Sequence, residues 1–165
     1  MSGEVQDDEL LALAQSLSQR LLARGWMLAC AESCTGGLIA ATCTELSGSS
    51  TWFERGFVTY SNEAKSELLG VPAELIAGHG AVSEPVARAM ATGAIAASRA
   101  RVALAVTGVA GPTGGSADKP VGTVWFGWAL PDRVHTERCR FDGDRRAVRR
   151  QTVWHALAWL DRALA

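Results

Sequence analysis

Three short apolar runs, residues 26–31, 53–60 and 102–106, each lead into a polar or glycine-rich segment, and helical stretches separate them. Runs of that length bounded by turn residues predict buried strands. Leu10, Leu13, Ala14, Leu17 and Leu21 recur at helical spacing, which predicts an amphipathic helix over 8–24, stopped by Gly25. Further helices are predicted over 38–46, 62–69, 83–99 and 144–164. Residues 73–80 read as a connection with one helical turn, and Ser83 reads as the cap of the next helix. Residues 121–130 and 134–141 read as a hairpin around Pro131 and Asp132. Helices alternating with strands, and one late hairpin, predict an α/β fold with helices on both faces of a mixed sheet.

The 165 residues suffice for one domain, expected over 8–165 after a disordered tail of residues 1–7. A net charge of -1 argues against a nucleic-acid partner. No apolar run approaches the roughly 20 residues that span a bilayer, so no membrane association is expected. The acidic N-terminus is unlike a secretion signal, so a cytoplasmic location is expected. Cys30, Cys34, Cys43 and Cys139 form no CxxC pair, and His79, His135 and His155 are scattered, so neither a metal site nor a cofactor is expected.

In open α/β sheets ligands bind beyond the carboxyl ends of the strands, which makes the segments after the three runs candidates for one site. The first is residues 32–37, ESCTGG. A serine that caps a helix before a flexible turn fits it; so does a Ser33 nucleophile beside an oxyanion hole, with Thr35, Gly36 and Gly37 close to the ligand. The second, residues 60–65 (YSNEAK), offers Lys65 either as a solvated helix lysine or as a base made neutral by burial. The third is the loop 107–120, dense in glycine, whose main-chain N–H groups suit a phosphate. It is not a Walker A loop, because GxxxxGK[ST] is absent. Arg145, Arg146, Arg149 and Arg150 crowd the start of the last helix, where cations are unfavourable. Either they form a solvated basic face, or some of them meet an anion or a neighbouring subunit.

The stretches AESCTGG (31–37), YSNEAK with LLGV after it (60–71), HGAVS (79–83), TGVAGPTGG (107–115) and KPVGTV (119–124) together resemble the CinA C-terminal domain family of nicotinamide-nucleotide amidases. The resemblance runs over about residues 8–164. It implies a three-layer α/β/α sandwich that hydrolyses the carboxamide of nicotinamide mononucleotide in pyridine nucleotide recycling. It places the family's serine on Ser33, its lysine on Lys65, its tyrosine on Tyr60 and its loop threonine on Thr107. The expected mechanism is acyl transfer, with Lys65 taking the Ser33 proton directly or through Tyr60, and with N–H groups near Gly36 and Gly37 meeting the oxyanion. The phosphate is expected on Thr107, Gly108, Ala110, Gly111, Gly114 and Gly115, and on Arg145 and Arg149. A homo-oligomer is expected. Two rivals stand beside this reading: a module that binds a nucleotide without turning it over, and an amidase that uses Cys34.

Overall fold

The computed structural model describes residues 4–165. They form α1 (Asp7–Arg24), β1 (Leu28–Glu32), α2 (Leu38–Thr44), β2 (Phe53–Val58), α3 (Asn62–Leu69), α4 (Ala73–His79), α5 (Glu84–Ala96), β3 (Val102–Gly108), β4 (Thr123–Ala129), β5 (Val134–Arg140) and α6 (Arg145–Ala163). The strands lie in the order β2-β1-β3-β4-β5. β1 pairs parallel with β2 and β3, while β4 and β5 run antiparallel, so the sheet is mixed as expected. Among the described residues no helix is long and apolar enough to cross a membrane.

Strand alternation sorts the core into two unequal halves. Leu28 and Cys30 of β1, Leu104 and Val106 of β3, and Phe126 and Trp128 of β4 face Leu17 and Leu21 of α1, Ile39 of α2 and Leu157 of α6. The intervening Ala29, Ala31, Ala103, Ala105 and Ala129 face Leu69, Ile76, Val86 and Met90 of α3, α4 and α5. Small residues on that second face let α5 approach the sheet closely. A Cβ at Gly127 would lie 2.6 Å from the Ala87 carbonyl oxygen, so β4 requires glycine there.

Two local expectations change. The expected connection 73–80 holds a full helix, α4 (Ala73–His79), because Pro72 sets the entry and Ile76 turns inward. Ser83 precedes α5 without capping it, since its hydroxyl donates to the Gly80 carbonyl at 2.8 Å, and α5 ends at Ala96 rather than near residue 99. Of the expected tail, residues 1–3 lie outside the described residues. The Gln6 N–H donates to the Glu9 carboxylate at 2.8 Å, Asp7 opens α1, and Arg150 donates to the Val5 carbonyl.

Glu137 and Cys139, neighbours on one face of β5, meet His155 of α6. The His155 ring lies 3.0 Å from Glu137 Oε1 and 3.5 Å from Cys139 Sγ, a set of mutual hydrogen-bonding contacts. Burial and the neighbouring Glu137 carboxylate push the Cys139 thiol up to about 11.

Candidate active site

Ser33 leaves the carboxyl end of β1, and its N–H donates to the Val106 carbonyl of β3 at 3.1 Å, which fixes it to the sheet. Lys65 lies on α3, whose first turn is capped by Ser61 accepting the Ala64 N–H at 3.0 Å. The Lys65 side chain runs back toward the sheet and is 1% exposed. Its Nζ sits 3.1 Å from Ser33 Oγ, 2.8 Å from the Thr59 carbonyl oxygen, and 3.5 Å from the carbonyls of both Tyr60 and Ser61. A neutral amine has two N–H donors and one lone pair. In that form the carbonyls take the two donors and the lone pair is left to accept from the Ser33 hydroxyl, whereas the ammonium form donates from Nζ to Ser33 Oγ. Among the described residues no carboxylate meets the amine, and burial lowers its pKa from the ordinary lysine value, an effect that Cys34 opposes only in part.

Ser33 and Lys65 line a cleft of about 270 Å³ together with Tyr60, Thr107, Gly108, Ala110 and Arg145. Cys34, Ala81 and Val82 complete its wall. Ala81 and Val82, in the HGAVS segment, had no assigned role in the sequence reading. The Thr107 hydroxyl donates to the Ala81 carbonyl at 2.9 Å and so ties that segment to β3. Tyr60 is exposed, and its hydroxyl accepts from Arg145 Nη2 at 3.3 Å. Arg145 Nη1 donates to the Gly111 carbonyl at 2.9 Å. Arg145 therefore links the tyrosine to the glycine loop across the mouth of the cleft. The tyrosine hydroxyl makes no hydrogen bond to Ser33 or Lys65 among the described residues, so a relay through Tyr60 has no support in the geometry.

Other residues expected at the ligand are placed differently. Thr35 points its hydroxyl away from the cleft, to Glu32. Gly36 and Gly37 adopt the positive φ angles that turn the chain from β1 into α2. The Gly36 N–H is taken by the Ser33 carbonyl at 3.1 Å and is not available to an oxyanion. Gly114 and Gly115 are exposed in the outer loop and do not line the cleft. Arg149 turns inward: Nε donates to the Cys34 carbonyl at 3.1 Å and Nη2 to the Thr35 carbonyl at 3.0 Å. Two of the four clustered arginines thus act as internal clamps, Arg149 on this turn and Arg150 on Val5 and Asp7, while Arg145 and Arg146 stay exposed. The Cys34 thiol is buried, and burial pushes its pKa up to about 12, which removes the thiolate that a cysteine nucleophile needs.

The sequence reading missed Glu32. It is fully buried, and its carboxylate accepts from Thr35 Oγ1 at 2.5 Å and from the N–H groups of Ile39 and Ala40 at 2.9 and 3.0 Å. Those N–H groups belong to the open first turn of α2, so the end of β1 caps the next helix. The available signal was a charged residue closing an otherwise apolar strand. Glu32→Gln puts an amide donor against an N–H donor. A loss of about 1–3 kcal/mol is expected, read as a lower urea midpoint at unchanged slope. An unchanged midpoint would show that the carboxylate does not hold the turn.

The fold and cleft define a class: a three-layer α/β/α domain that brings a serine hydroxyl onto a buried lysine amine at the carboxyl ends of parallel strands. The chain belongs to the CinA C-terminal domain family, whose sequence profile matches residues 10–164. It is 54% identical over 156 residues to the nicotinamide-nucleotide amidohydrolase PncC of Escherichia coli strain K12, covering 93% of this chain and 94% of that protein. It is 56% identical over 150 residues to the Pseudomonas putida protein of the same name, covering 91% and 94%. Among solved structures, the competence/damage inducible protein CihA of Agrobacterium tumefaciens superposes with a TM-score of 0.91 at 46% identity, over 99% of each chain.

Proposed function

We propose that this chain hydrolyses the carboxamide of nicotinamide mononucleotide to nicotinate mononucleotide and ammonia, through an acyl-enzyme on Ser33. The observation that carries the reading is the 3.1 Å approach of the Lys65 amine, buried and with no carboxylate partner among the described residues, to the Ser33 hydroxyl. The name of the E. coli and P. putida relatives supplies the substrate. Ser33 Oγ attacks the carboxamide carbon as its proton passes to Lys65 Nζ. The tetrahedral adduct collapses, and the Lys65 ammonium returns that proton to the departing NH2 group, which leaves as ammonia. Water then attacks the ester with Lys65 again taking a proton, and Ser33 is regenerated. Arg145, at the mouth of the cleft, is the group best placed for the phosphate, with Thr107, Gly108 and Ala110 as the adjoining wall. The remaining parts of the reading, a cytoplasmic homo-oligomer acting in pyridine nucleotide recycling, rest on the family likeness.

Ammonia release from nicotinamide mononucleotide, with nicotinamide riboside in parallel, tests this reading. The phosphate supplies binding energy remote from the reacting amide, so the riboside is expected to lose both turnover and affinity. Treatment with iodoacetamide is expected to leave turnover intact, because Cys34 is buried. Saturable binding without ammonia would establish a binding module. Inactivation by iodoacetamide together with turnover that survives Ser33→Ala would establish a cysteine amidase.

A further inference from the structure

We infer that Arg149 is a positioning residue, which sets the direction of the main-chain N–H groups beside the nucleophile by holding two successive carbonyls of its turn. The inference rests on the amide hydrolysis proposed above. Arg149 lies one helical turn beyond Arg145, about 6 Å along α6, and this displacement separates their tasks. Arg145 reaches the mouth of the cleft, whereas Arg149 reaches underneath the turn after β1. Its planar fork meets the Cys34 and Thr35 carbonyls with Nε and Nη2, at 3.1 and 3.0 Å.

Peptide groups are planar, and in this turn they are trans, so each N–H points opposite to the carbonyl of its own peptide group. Drawing the Cys34 and Thr35 carbonyls toward α6 turns the Thr35 and Gly36 N–H groups to the other side. The Gly36 N–H then closes on the Ser33 carbonyl at 3.1 Å. That bond fixes the next peptide plane, and with it the Cys34 N–H, the amide directly after the nucleophile. Neither the Cys34 nor the Thr35 N–H donates to another residue's main chain among the described residues. They are the donors left for a developing oxyanion beside Ser33 Oγ. Glu32 also holds Thr35 Oγ1 at 2.5 Å, so the turn is held by both a carboxylate and a guanidinium. A preorganised donor is worth most in the transition state, when negative charge appears on the carbonyl oxygen.

The test compares wild type, Arg149→Ala and Arg149→Lys. With nicotinamide mononucleotide, Arg149→Ala is expected to lower kcat by about 10²-fold, the scale of a lost oxyanion donor, with KM within about threefold. Arg149→Lys should not rescue it, because one ammonium does not span two carbonyls in a fixed geometry. Mononucleotide and riboside should lose the same factor, and the pH midpoint of kcat, set by Lys65, should stay in place. Acylation of Ser33 by p-nitrophenyl acetate, measured as burst kinetics, should slow in parallel in both variants. That arm separates the two readings: a wild type that is acylated but releases no ammonia refutes the substrate and leaves the role of Arg149 standing. Acylation at the wild-type rate in Arg149→Ala overturns the inference. A rise in KM confined to the mononucleotide overturns it in favour of a phosphate contact. A loss that merely tracks the unfolded fraction in urea overturns it in favour of a structural role.

Discussion

Ser33→Ala is expected to reduce ammonia release by about 10³-fold or more, the scale seen when an acyl-transfer nucleophile is removed. No neighbouring group is ready to replace it. The Thr107 hydroxyl is bonded to the Ala81 carbonyl, and the Thr35 hydroxyl is bonded to Glu32. The Cys34 thiol, held up near 12, carries almost no thiolate at neutral pH. The substitution removes one hydroxyl from a site that is already nearly closed, so stability should change by no more than about 1 kcal/mol. Steady-state ammonia release with matched unfolding curves provides the measurement. A variant that folds like wild type and keeps a tenth of its turnover would exclude Ser33 as the nucleophile.

Lys65→Met is expected to lower kcat by about 10²–10⁴-fold, the usual worth of a positioned base, and to remove the pH dependence that the amine imposes. Burial lowers the Lys65 pKa from its ordinary value, so the neutral form becomes populated below the usual lysine range near 10.4. Activity should therefore climb as pH rises through the lowered value and level off above it. A profile flat from pH 6 to 9 with chemistry rate-limiting would exclude a lysine base. Stability has the same sign. Between the lowered native pKa and the ordinary one, the unfolded chain binds the extra proton, so stability rises with pH across that window and falls as pH drops. Lys65→Met should lose this slope. Methionine retains length and apolar bulk, so near-neutral urea midpoints should hold or rise, although the Thr59 carbonyl loses its donor.

Much of this arrangement was legible in the sequence, and the parts that were hidden have physical reasons. The three apolar runs marked the parallel strands, and the segments after them do meet in one cleft, because β1, β2 and β3 all point the same way. Ser33, Tyr60, Lys65 and Thr107 stand in polar segments just beyond those runs, and Arg145 was marked by its unfavourable place at a helix start; all five line the cleft. Helix α4 was hidden because it is short and carries Gly78 inside it, whereas burial of Ile76 decides the matter in the folded chain. The division of labour between Arg145 and Arg149 was hidden as well. Spacing of four puts both on one side of a helix, but it does not reveal that one faces a cleft and the other faces main-chain carbonyls. One of the two expected routes for the Ser33 proton ran through the hydroxyl of Tyr60. The structure brings its carbonyl toward Lys65, an atom that every residue type carries.

The mixed sheet has a consequence for engineering. β4 returns antiparallel to β3, pairing Gly108 with Val124 at the cleft end and Ala103 with Ala129 at the other. The tight reversal at residues 130–133 therefore emerges at the opposite pole of the domain from the nucleophile. Asp132 and Arg133 there are exposed, and the Leu130 N–H to Arg133 carbonyl bond at 2.8 Å closes the reversal without reaching the core. A fluorescent label, an affinity tag or an inserted peptide at that pole would be carried about the full length of a strand away from the chemistry, which makes it a natural handle for immobilising an active enzyme.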